Sequence, residues 1–171
     1  MSKGMYYYLA QAWKKPSKEM LKQRLIAWRR TDAVEVLDKP TRVDRARALG
    51  YKAKTGFVIA RIRVMRGGRT KTRPTKKGRR SKRQSIRKVL RVNYQWVAEQ
   101  RAARKFPGLE VLNSYYLAKD GLHYYYEIIL VDKSRPEIQA DKNIKWICDN
   151  KNKGRVFRGR TSAGRKSREL Y

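Results

Sequence analysis

Apolar positions along the chain fall into two rhythms. Met20, Leu21, Leu25 and Trp28 recur at the three- and four-residue steps of one helical face, and Ser17 stands where an N-cap belongs. This predicts a helix from Ser17 to about Arg30, with Glu19 in its first turn. Before it, Met5 to Trp13 reads as one or two aromatic helical turns broken by Pro16, and after it Val34 to Leu37 reads as a short strand. Lys39-Pro40 marks a turn, and Arg42 to Leu49 a short basic helix stopped by Gly50. Strict alternation takes over at Phe57 to Met65, where Val58, Ala60, Ile62 and Val64 predict a core face and Arg61 and Arg63 an outer face of guanidinium groups. Helical spacing returns from about Val89 to Lys105, through Val92, Trp96, Gln100 and Ala103, and Phe106-Pro107-Gly108 ends it. Leu109 to Leu117 and Leu122 to Val131 read as a hairpin turned by Lys119-Asp120-Gly121. A helical turn at Glu137 to Ala140 and an apolar strand tip at Ile144 to Ile147 follow.

These elements define an α+β domain made of residues 1–65 and 89–149. A small mixed sheet of the Phe57 strand, the hairpin and one more strand is packed by the Ser17 and Val89 helices. The two remaining stretches, 66–88 and 150–171, carry too little apolar matter to predict as core. Arg69 to Lys88 reads RTKTRPTKKGRRSKRQSIRK, with Ile86 its only large apolar residue. Ordering such a segment costs roughly 1–2 kcal/mol per residue with no burial to offset it, so it is expected to be a solvated arm inserted in the domain. Residues 150–171 are expected to be a basic C-terminal extension. No internal repeat is found.

Charge sharpens this division. The chain has 171 residues and a net charge of +31. From Arg45 to Ala98 there are 54 residues without one Asp or Glu, and they hold 19 Lys and Arg. Glu99 to Asp149, by contrast, holds eight acidic and eight basic residues, and Asn150 to Arg168 is again free of acid with eight Lys and Arg. Unmatched charge placed in blocks calls for an external polyanion, and each phosphate neutralised releases counterions. A mixture of Arg, which forks onto phosphates and stacks on bases, with Lys, a point charge, suits irregular folded RNA. Zinc-finger ligands, heptads and a helix-turn-helix are absent, which removes the usual DNA-reading modules.

Catalytic and cofactor chemistry finds no support. Cys148 is the only cysteine and His123 the only histidine, so an internal disulfide, a four-ligand zinc set and a convincing Cys-His pair are all unavailable. Glu99, Glu110, Asp120, Glu127, Asp132 and Asp141 read as ordinary surface balance on a neutral domain. Gly159 and Gly164 have the spacing of a phosphate loop, but Arg165 stands where its lysine belongs. Those glycines, flanked by Arg158, Arg160, Arg165, Lys166 and Arg168, suit close approach to an RNA backbone instead. Alternate tyrosines of the hairpin are expected in the core, leaving the others to stack on bases or touch protein neighbours. No apolar run is long enough for a membrane span or a signal-peptide core, so an intracellular, cytoplasmic protein is expected.

Specific strings carry a resemblance. PTRVDRARALGYKAKTGFVIARIRVMRGG (Pro40 to Gly68), VAEQRAA (Val97 to Ala103), LNSY (Leu112 to Tyr115) and RVFRGRTSAGRKSR (Arg155 to Arg168) together resemble the large-subunit ribosomal protein L-fifteen-e family of archaea and eukaryotes. GRRSKRQ (Gly78 to Gln84) is similar to archaeal members in particular. The resemblance implies a structural rRNA-binding protein with extensions threaded into RNA, with no enzymatic activity, cofactor, metal, membrane or small-molecule substrate. Its partners would be large-subunit rRNA and neighbouring ribosomal proteins rather than a second copy of itself. Carried over, it implies RNA contacts at Arg42, Arg45, Arg47, Lys52, Lys54, Arg66, Arg69, Lys71, Arg73, Lys76, Lys77, Arg79, Arg80, Lys82, Arg83, Arg87, Lys88, Arg158, Arg165, Lys166 and Arg168. Arg61, Arg63, Arg155 and Arg160 join them as basic positions of the same segments. Many relatives continue into a further basic tail, so contacts made by that tail are expected to be missing from a chain ending at Tyr171. The competing readings are a non-ribosomal nucleic-acid compactor and a small basic nuclease.

Overall fold

The computed structural model describes residues 3–68 and 90–169. In chain order the elements are α1 (Met5–Lys14), α2 (Lys18–Arg30), β1 (Val34–Leu37), α3 (Val43–Ala48), β2 (Phe57–Met65), α4 (Tyr94–Lys105), β3 (Leu109–Lys119), β4 (His123–Asp132), α5 (Pro136–Gln139) and α6 (Ser162–Ser167). Two short 3₁₀ turns, Lys145–Cys148 and Asn150–Asn152, lie between α5 and α6.

The four strands form one sheet in the order β1-β2-β4-β3. The α+β class is as expected, but every pairing is antiparallel rather than mixed. The hairpin explains this: β4 folds back into the gap between β2 and β3, which run parallel to each other, so no two parallel strands are neighbours. Helices cover both faces. On one, Leu25 and Trp28 of α2, Ala46 of α3 and Ile138 of α5 pack over Ile59, Tyr125 and Ile129; on the other, Trp96, Ala98 and Ala102 of α4 pack over Ala60, Ile62 and Ile128. Central strands buried on both sides read as near-continuous apolar runs, as YEIILV (Tyr126 to Val131) does.

Local chemistry sets most boundaries. The Ser17 hydroxyl accepts the Met20 N–H at 3.3 Å and starts α2 at the predicted place. Leu25 and Trp28 are buried and Leu21 partly so, whereas Met20 stays exposed. At the end of α3, Gly50 takes φ +97°, and the Gly50 and Tyr51 N–H groups close back onto the Arg47 and Ala46 carbonyls. This is the Schellman arrangement, which requires the left-handed conformation that glycine adopts freely.

Three expectations are corrected. α4 begins at Tyr94 rather than Val89, because the Asn93 side chain accepts the Trp96 N–H at 2.7 Å while its own amide donates to the Ala163 carbonyl. The buried face of α4 is accordingly Trp96, Ala98, Glu99 and Ala102. Ile144 to Ile147 is not a strand tip: Ile144 is the N-cap of the 3₁₀ turn Lys145–Cys148, and Ile144 and Ile147 are both buried, three residues apart, which is the 3₁₀ period. Residues 150–169 are packed onto the domain rather than extended from it, with Val156, Thr161 and Ala163 buried against the α4 side of the sheet.

Candidate nucleic-acid interface

The basic residues are positioned by buried acids. Glu99, Glu110 and Glu127 are buried rather than exposed as surface balance, and Asp120 and Asp141 have nearly buried carboxylates. Glu127, on central strand β4, accepts from the Thr41 backbone N–H at 3.1 Å, the Thr41 hydroxyl and the Tyr115 hydroxyl, and so pins the turn entering α3. Glu99, on α4, accepts from the hydroxyls of Ser114 and Thr161. Thr161 is the N-cap of α6, accepting the Gly164 N–H at 3.2 Å. Burial pushes both carboxyls above their ordinary value, against the hydrogen bonds that favour their ionised form.

Pinned in this way, α3 and α6 flank the outer strand β3. Beside them lie three adjoining cavities of about 410, 240 and 360 Å³: Leu49 lines all three, Asn113, Ser162 and Lys166 the first two, and Leu112 the first and third. Arg42 at the N-cap of α3 and Arg45 within it line one with Lys166 of α6; Arg160 and Arg165 line the next; Arg47 and Lys52 line the third. Among the described residues no Asp or Glu lines any of them. Cations more than a hundred positions apart in the chain thus share one groove. Its back is the outer edge of β3, whose carbonyls at Val111 and Leu112 accept from the Arg155 guanidinium at 2.8 Å each, and at Ser114 from Gln95. That edge is closed to a further strand.

The remaining sequence-named residues divide. Arg45, Arg165 and Lys166 are exposed. Arg42 is half-buried beside Asp44 and over the Trp13 ring, and Arg47 donates to the Tyr6 hydroxyl at 2.5 Å. Lys52 and Lys54 both pair with Asp141, and their hydrogen bonds, Lys52 first, hold its carboxyl well below the ordinary range. Arg61 is buried, paired with Glu35 and laid over Trp28 at 4.9 Å, so the expected outer face of β2 is in fact core under α2. Arg63 donates to the Arg29 carbonyl beneath the same helix. Arg155 is buried in the edge-closing role just described.

Arg66 is exposed at the far end of the sheet, donating to the Asp120 carbonyl at 2.6 Å. Arg158 donates to the Lys151 and Lys153 carbonyls, and Arg168 to the Arg158 carbonyl. Arg69, Lys71, Arg73, Lys76, Lys77, Arg79, Arg80, Lys82, Arg83, Arg87 and Lys88 lie outside the described residues.

Gly159 and Gly164 have an internal role. A Cβ on Gly164 would come within 2.6 Å of the Gly159 Cα, so the two backbones seat against each other. Sequence reasoning missed Trp146, Asn113 and Ser162 as groove residues, because Trp146 lies between Ile144 and Ile147 and reads with them as one apolar segment. Among the described residues no group of His, Cys, Asp and Glu is placed to hold a metal ion, and no helix is long and apolar enough to cross a membrane.

A doubly covered antiparallel sheet bearing an acid-free cationic groove and a basic insertion has the build of a ribonucleoprotein component. The family model described as Ribosomal L15 matches residues 4–171, nearly the whole chain, and the chain belongs to that family. It is a structural constituent of the large ribosomal subunit, in a family that is structural rather than enzymatic.

Proposed function

We propose that the chain holds folded large-subunit rRNA by two basic surfaces: the groove between α3 and α6, and the segment Arg69 to Lys88. The observation that carries this reading is the convergence of Arg45, Arg160, Arg165 and Lys166 in a groove without acid. Arg42, Lys52 and Lys54 flank it with charges matched by Asp44 and Asp141, and Arg47 with a hydrogen bond to the Tyr6 hydroxyl. Arg66, Arg158 and Arg168 are offered at the periphery. Arg61 and Arg155 are excluded from the contact set, since they are buried and their guanidiniums are engaged within the fold.

Bound phosphates displace condensed counterions, and fixed cations let neighbouring RNA helices approach where they would otherwise repel. The work is assembly and support of translation in the cytoplasm, with no cofactor and no bond broken. Neighbouring ribosomal proteins complete the surroundings, and the chain acts as a single copy.

Salt titration tests the groove. Replacing Arg45, Arg165 and Lys166 together by Gln is expected to weaken rRNA binding and to reduce the slope of log K against log salt by about two to three, at roughly 0.7–0.9 per phosphate. An unchanged slope would remove the groove from the interface. Retention of labelled rRNA without cleavage is expected in the presence of divalent metal; cleavage lost on a single carboxylate change would overturn the structural role.

A further inference from the structure

Trp28 and Trp96 are buried and Trp13 is half-buried, but Trp146 is 41% exposed. A large aromatic surface left open at the centre of a cationic groove is an unusual placement, and four features give it a use. The ring is fixed, because its indole N–H donates to the Asn143 carbonyl at 3.1 Å. The Arg155 guanidinium lies over it, 5.0 Å from the ring centroid, and is itself immobilised by the carbonyls of Val111, Leu112 and Arg160. Trp146 also lines both the 410 and the 360 Å³ cavities, with Arg165 and Lys166 on one side and Arg47 and Lys52 on the other. Asn113 and Ser162, finally, bring an amide and a hydroxyl to the wall of the larger cavity, within reach of a base edge.

We propose that Trp146 is a stacking platform for one unpaired RNA base, whose flanking phosphates are held by Arg165 and Lys166 on one side and Arg47 on the other. This rests on the RNA-binding reading above and assigns the groove a single-stranded ligand within it. An unpaired base has a free π-face for the ring, whereas bases in a duplex are stacked on one another and offer the groove only phosphates and sugar. A ring already held in place pays little ordering entropy on binding, and the cation behind it adds cation–π attraction. An acidic protein segment would match the charge of the groove but would leave the indole without a partner.

The test is a fluorescence titration of the full chain with two RNAs of equal phosphate number, a stem with an unpaired loop and a blunt duplex. Loop RNA is expected to quench tryptophan emission and duplex RNA to leave it, since Trp28 and Trp96 are buried and Trp13 is half-buried under the Arg24 and Arg42 guanidiniums. Trp146→Phe should remove most of the quench. Trp146→Ala should weaken loop-RNA binding by about 5- to 140-fold, the fold-change equivalent of 1–3 kcal/mol per stacked base, with duplex affinity and salt slope unchanged. Binding of both RNAs without quench in the unaltered chain, a reading that needs no variant to fold, overturns the platform and leaves the phosphate-binding role standing. Equal weakening of both RNAs by Trp146→Ala overturns it too, as does quenching by a polyglutamate peptide in place of RNA. Failure to bind either RNA overturns both proposals.

Discussion

Glu99 is held by a relay of fixed direction. The Gly164 N–H donates to the Thr161 hydroxyl and the Gln95 side-chain amide to the Ser114 hydroxyl, so each hydroxyl has its own proton left for the carboxylate. Burial nevertheless raises the Glu99 carboxyl above its ordinary 4.5. Between that value and the raised one the folded state binds more protons than the unfolded state, so this group's contribution to stability falls as pH rises through the window. Glu127 acts in the same sense. Asp120 and Asp141 act oppositely, because their carboxyls are held below the ordinary 3.8 and their stabilisation is lost only as pH falls through that lower range. Glu99→Gln is therefore expected to gain on the unaltered chain as pH rises. Urea melts of both between about pH 4 and pH 8 measure this, and a difference that does not change with pH would show that Glu99 titrates normally.

Seating of α6 is the weak point at the scale of elements, because Gly159 and Gly164 meet backbone to backbone. Gly164→Ala puts a methyl 2.6 Å from the Gly159 Cα, which no side-chain motion relieves. The expected cost is about 1–3 kcal/mol, with Arg165 and Lys166 displaced and RNA binding weakened. Thermal melts and binding titrations check both, and an unaltered melting temperature would contradict the packing. The start of α2 and the bounds of β2 were legible because a cap residue and a clear period mark them. The α4 start was not, since Asn93 is fixed by contacts with Ala163 and Ser167, some seventy residues away. Residues 150–169 looked like an extension because their charge outweighs the few spaced apolar residues, Val156 and Ala163, that seat them. The groove cations were legible as types, by charge and by family likeness. Their convergence depends on Thr41 and Thr161 meeting buried carboxylates, which no local pattern encodes.

For the molecule as a whole, the buried acids and the surface cations form one arrangement. A chain with net charge +31 keeps several of its carboxylates inside or paired, where they position basic elements without cancelling the groove's field. Neutralising Arg79, Arg80, Lys82 and Arg83 together should flatten the salt dependence by up to about four phosphate equivalents, additively with the groove variant if the two surfaces hold separate stretches of RNA. A density map of the large subunit containing this chain tests the central claim most directly. RNA phosphates are predicted within hydrogen-bond reach of Arg45, Arg165 and Lys166. A groove filled by protein or open to solvent would contradict the account.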